Sequence, residues 1–143
     1  MIIMKRVFYY VLLIPALIGM ISCTSSKTNV KDLNGKWNIV EVKGTKVTKE
    51  KMPFMEFNMA ENKVHGNAGC NMFNTSLTPD NKDVSAFTLK PAAATMMACP
   101  DMEVEGIILT SIESVAGVKA GKNANEMILV DKDGKTLFVL SKV

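Results

Sequence analysis

The chain has 143 residues, 22% of them charged, and a formal net charge of +3. That length suits one domain with a single core and leaves no room for a second of ordinary size. Lys5 and Arg6 lie in an N-terminal targeting segment, so the rest carries 15 basic and 14 acidic residues. A net charge of +1, with lysines scattered among acids as in Lys49-Glu50-Lys51, argues against nucleic acid as a partner.

Lys5-Arg6 precede an uncharged, mostly apolar run from Val7 to Ile21. A membrane-spanning helix takes about 20 apolar residues. This run is shorter and contains Pro15, so it reads as the apolar region of a secretory signal. It ends Met20-Ile21-Ser22-Cys23. A small residue before the cleavage point and a Cys after it resemble a bacterial lipoprotein signal, with Met20 where Leu is usual. The resemblance implies that Cys23 is acylated and becomes the mature N-terminus. Residues 1–22 are then a signal peptide. Residues 23–31 are the lipidated Cys and a tether, flexible because 24–29 are small and polar, and residues 32–143 are one domain. Each buried acyl CH₂ contributes about 0.8 kcal/mol, so several chains anchor stably. The expected location is the cell envelope. Thr24 after the Cys points to the outer membrane by the rule familiar from enterobacterial lipoproteins.

The domain reads as short strands joined by turns. "GKWNIVEVKG" alternates through Trp37, Ile39 and Glu41, with Val40 and Val42 on the other face, and Gly35 and Gly44 bound it. Phe54–Met59 and Lys63–His65 form a predicted hairpin around Glu61-Asn62. "MFNTSLT" and "SAFTLK" form another around Pro79-Asp80-Asn81-Lys82. Met102 to Val115 changes period: Val104, Ile108, Leu109, Ile112 and Val115 recur at helical spacing, with Glu105 and Glu113 between them. Pro100-Asp101 suits the start of this helix and Gly117 its end. Met127–Val130 and Thr136–Leu140 flank Asp131-Lys132-Asp133-Gly134, an Asp-Gly turn. The class is mainly β (α+β): a small antiparallel sheet or barrel with one amphipathic helix.

Two segments carry chemistry. Gly69-Cys70-Asn71 sits in a Gly-rich turn, and Thr95-Met96-Met97-Ala98-Cys99-Pro100 precedes the helix. Together with "LNGKWNIVEV" and "MILVDKDGKTLFV", they resemble the META domain family, also called HslJ-like, over about Asp32 to Val143. Met97 and Asn74-Thr75 depart from the family pattern. The resemblance implies a small, mostly β fold with one helix, often in envelope lipoproteins. Some members are linked to heat shock or antibiotic tolerance, and no enzymatic reaction is established for the domain.

Cys70 and Cys99 are an even pair once Cys23 is set aside, in a compartment where disulfides persist. A disulfide is the leading reading and would pin the Gly-Cys-Asn turn to the start of the helix. A reactive thiolate is the rival, because Cys99 lies at the predicted helix N-terminus. Metal binding is weaker, with one His and no close Cys pair.

His65 has no nucleophile or Gly-x-Ser-x-Gly elbow to serve and reads as a strand-face residue. The methionines Met52, Met55, Met59, Met72, Met96, Met97, Met102 and Met127 offer soft Cu(I) ligands, but most fall on alternating strand faces or at the helix start, which favours flexible core filler. "DKDG" lacks the Glu that a calcium loop needs. No catalytic residue, metal or cofactor is expected. The expected function is protein binding in envelope homeostasis or stress tolerance, by a monomer held to the membrane through its lipid. The alternatives are a small-ligand carrier with a barrel cavity and a thiol-redox protein using Cys99.

Overall fold

The computed structural model describes residues 27–143. The signal segment 1–22, Cys23 and residues 24–26 of the tether lie outside the described residues.

The chain joins the fold earlier than the tether reading placed it. Val30–Leu33 form a 3-10 turn capped by Asn29. The Asn29 side chain accepts from the Lys31 N–H at 3.0 Å, and the Asp32 carboxylate accepts from the Asn29 N–H at 3.0 Å. This reciprocal capping box satisfies donors that the turn would leave open. Just before it, Lys27 Nζ lies 2.8 Å from Asp83 Oδ2, and the Val30 N–H donates to the Val84 carbonyl at 2.7 Å. The Lys27 ammonium, with help from the Ser85 N–H and hydroxyl, holds the Asp83 carboxyl at about 2, below the usual carboxylate range. A depressed folded-state value means the contact contributes fully above about pH 4 and is lost only as pH falls through about 2.

Ten strands follow: β1 Gly35–Val42, β2 Thr45–Lys46, β3 Phe54–Asn58, β4 Lys63–Asn67, β5 Met72–Pro79, β6 Phe87–Leu89, β7 Ala93–Ala94, β8 Gly117–Ala120, β9 Glu126–Val130 and β10 Thr136–Lys142. All pairings between them are antiparallel, in the order β6-β5-β4-β3-β1-β10-β9-β8, with β2 on β1 and β7 on β5. A bridge between Ala86 and Gly117, with the Phe87 N–H donating to Ala116 and the Val118 N–H to Ser85, brings the two ends of the order together. The sheet is a nearly closed barrel, and closure leaves few strand edges for pairing with other chains.

Three hairpins lie where turn chemistry predicts them: β3–β4, β5–β6 and β9–β10. The last turn is built on Asp131, whose carboxylate accepts from the Asp133 and Lys135 N–H groups. β1 differs from simple alternation. Ile39 faces Leu140 and Glu41 faces Val139, so Val40 is an extra residue in a bulge. The bulge reverses the phase, and Val42 joins Trp37 and Ile39 inside the barrel instead of facing away. A second register shift in β10 buries the neighbours Leu137 and Phe138 together. The interior is filled by Trp37, Ile39, Phe57, Phe73, Phe138 and Leu140, each at most 2% exposed. Each such side chain contributes about 1.5–3 kcal/mol through burial. A small barrel filled in this way packs side chains where a carrier would need a chamber.

The helix is shorter than its apolar period suggests. α1 spans Glu103–Ser111 and passes into a 3-10 turn at Ile112–Ser114, twelve residues in all. Val115 is already extended, and Gly117 opens β8 instead of ending a helix. Asp101 does not cap it. The residue before the helix is Met102, with no side-chain cap. Asp101 pairs with Lys49 Nζ at 2.6 Å, and that bond, with a smaller contribution from the Glu103 N–H at the helix start, holds its carboxyl below the usual range. Among the described residues, no helix is long and apolar enough to cross a membrane.

Candidate functional site

The Gly-Cys-Asn turn links β4 to β5 and forms one corner of the barrel. Gly69 has φ +133°, a conformation open to glycine and strained for any L side chain. The Asn67 side-chain oxygen accepts from the Gly69 N–H at 2.7 Å, and the Ala68 N–H donates to the Asn71 carbonyl at 2.9 Å, which closes the turn. Cys70 is joined to Cys99 by a disulfide with a Cα separation of 6.2 Å, inside the usual range. Cys99 is exposed and lies four residues before the first residue of α1. Its place is a loop, so the helix N-terminus on which the thiolate reading rested does not reach it.

Asn71 is the centre of this corner and is 2% exposed. Its side-chain amide has the donor and acceptor of a peptide group and pairs with the backbone of Met97 in both directions. Nδ2–H donates to the Met97 carbonyl at 3.0 Å, and Oδ1 accepts from the Met97 N–H at 2.7 Å. Oδ1 also accepts from the Thr95 hydroxyl at 2.8 Å, and Thr95 Oγ1 in turn accepts from the Met72 N–H at 3.1 Å. The Thr95 N–H donates to the Met72 carbonyl at 3.0 Å, extending the β5–β7 pairing. Asn71, Thr95, Met96 and Cys99, singled out in the sequence, are thus brought together. Pro100 is exposed in the loop toward α1.

One member of the corner escaped the sequence reading. Glu105, expected among the polar positions of α1, is 3% exposed. Its Oε1 accepts from the Asn71 N–H at 2.7 Å, and Oε2 is buried without a hydrogen-bond partner. It ties the helix to the turn. The available signal was spacing: Glu105, Ile108 and Ile112 share one helical face. Polarity overrode it.

The outer surface of the corner is apolar. Met72, Met96 and Met97 are 44%, 96% and 57% exposed. The core-filler reading holds for Met55, which is fully buried, and for Met52, Met59 and Met127, which pack against the core. It fails for these three. Beside Met72 a cleft of about 420 Å³ opens between His65, Asn74, Ala93 and Thr95. His65 lies on the outer face of β4, with Nε2 3.2 Å from Glu56 Oε2 across the β3–β4 pair. Both are about half exposed, so this contact is worth at most about 1 kcal/mol. Among the described residues, no group of three or more His, Cys, Asp or Glu is placed to hold a metal.

Removing the Asn71 side chain tests its central place. Asn71→Ala deletes three hydrogen bonds and leaves the Met97 backbone groups and the Thr95 hydroxyl to find water. The expected loss is about 2–3 kcal/mol, read as a lower urea midpoint with an unchanged slope.

In comparison with known proteins, no curated protein matches the chain in sequence. Among solved structures, it is similar to one described as the NMR structure of the protein from Burkholderia xenovorans. The TM-score is 0.59 at 17% identity, covering 79% of this chain and 85% of that one. At that identity the likeness speaks for the fold. The META domain family matches residues 29–143, from the cap of the first 3-10 turn to the C-terminal residue of the chain. With its barrel, its Gly-Cys-Asn corner and a family match over most of its length, the chain belongs to the META domain family.

Proposed function

We propose that this protein is a lipid-anchored component of the cell envelope that binds another protein, without catalysis, in envelope homeostasis or tolerance of stress and antibiotics. The lipoprotein-like segment ending at Cys23 supports the anchor, with the outer membrane as its expected place and the monomer as its expected form. The Cys70–Cys99 pair is in keeping with an oxidising compartment outside the cytoplasm. The observation that carries the binding role is the set of exposed methionines, Met72, Met96 and Met97. They stand on backbone held by the disulfide and by Asn71. Flexible thioether side chains on a fixed base adapt to an apolar partner surface, while little backbone ordering remains to be done on binding.

A photo-crosslinking residue in place of Met96, in the full-length protein in cells, tests this reading. A discrete cross-linked protein is expected under envelope stress, and none from the same residue placed at Lys119 on β8. Equal capture at both positions, or none at either, would count against the methionine surface as the binding face.

A further inference from the structure

Lys27, four residues after Cys23, pairs with Asp83 at one end of the barrel. Four residues span at most about 14 Å. Lys27 pairs with Asp83 and Val30 bonds the backbone of Val84, so this short segment lies beside the β5–β6 loop. The loop presents Val84, 50% exposed and one of few large apolar side chains on the described surface. Next to it, Val30, Met59, Ala60 and Pro79 border a cleft of about 450 Å³. The methionine corner lies at the other end of β5, since Pro79 and Met72 are its two termini. Seven strand steps separate them, about 23 Å.

Resting on the anchoring proposed above, we infer that the domain stands end-on against the bilayer. The β5–β6 loop and Val84 touch the lipid, and the Gly-Cys-Asn corner with Met72, Met96 and Met97 points away from it. The partner of this end is a lipid surface of any charge. Lys27, Lys31 and Lys82 are matched there by Asp32, Glu61, Asp80 and Asp83. Asp83 is engaged by Lys27, and Asp80 accepts from the N–H groups of Lys82 and Asp83 within its own loop. No basic patch results, so tether length and Val84 set the orientation, and anionic lipid is not required. The arrangement presents the methionine surface to partners that approach from the aqueous side.

Paramagnetic broadening of amide signals tests the orientation. The protein purified from membranes is placed in nanodiscs that carry a gadolinium-chelate headgroup lipid. Amides of 27–30 and 81–85 are expected to lose most of their intensity, and those of 70–71 and 96–99 to keep most of theirs. The pattern should be the same in zwitterionic and anionic lipid. A long Gly-Ser insertion between Ser26 and Lys27 should erase the contrast. Intact mass on the same sample reads acylation separately. An acylated protein with even broadening, or with the strongest loss at 96–99, overturns the orientation and leaves the anchor standing. A chain without lipid on Cys23 overturns both.

Discussion

Gly66→Ala is expected to destabilise the protein by more than about 4 kcal/mol, enough to unfold a domain of ordinary stability. Gly66 is buried on β4, opposite Met55 on β3 and Phe73 on β5. A Cβ there would lie 2.0 Å from the Phe54 carbonyl oxygen and 2.9 Å from the Phe73 ring. The ring could turn, but the carbonyl belongs to the neighbouring strand. Relief would require β3 and β4 to part where Phe54 and Asn67 are paired, with the fully buried Met55 beside them. The ring of Phe73 covers the space that the missing side chain leaves. Gly106→Ala is the comparison. Gly106 is in α1 with open space around its Cβ position, so that change should stabilise by about 1 kcal/mol through helix propensity. Urea unfolding of both variants reads the opposite signs. A small loss for Gly66→Ala would mean that the β3–β4 pair yields at this point.

Replacing both Cys70 and Cys99 with serine should cost about 3.6 kcal/mol, the chain-entropy value for a loop of this span. The two residues are 29 apart in sequence, and the loop between them holds β5, β6 and β7. The same constraint supports the corner, because Asn71 and Met97 flank the bridge and pair with one another. The melting temperature should fall by roughly 15 °C in calorimetry. Amide exchange should rise first at 95–99, the exposed segment that the bridge holds to the Gly-Cys-Asn turn. Reducing agent should reproduce the shift in the parent protein and leave the double variant unchanged. A double variant as stable as the parent would mean that Asn71 and Thr95 hold the corner without covalent help.

Much of the barrel could be read locally because its signals are local. The Asp-Gly turn at 133–134, the Pro79–Lys82 turn and the apolar alternation of β3 and β5 each follow from a few neighbouring residues. β1 shows the limit. Its alternation placed Val42 outside until the bulge at Val40 reversed it, and that bulge comes from the register with β10, nearly a hundred residues away. Glu105 shows another limit, since the Asn71 N–H that holds it lies 34 positions earlier. Met72 shows a third: the alternation of a strand tells which residues share a face but not which face is covered, while Met96 and Met97 lie in a loop after β7, where no alternation applies.

The mainly antiparallel class, the hairpin turns, the presence of one helix and the family are legible in the chain alone, through motifs that keep their meaning in short windows. So are the two cysteines and the residues around them. That β6 and β8 meet, that Asn71 pairs with the Met97 backbone, that Glu105 is buried and that Lys27 lies beside Asp83 emerges only from the folded barrel. These are contacts between residues far apart in the chain. Their geometry follows from strand register and barrel closure, which depend on all the strands at once.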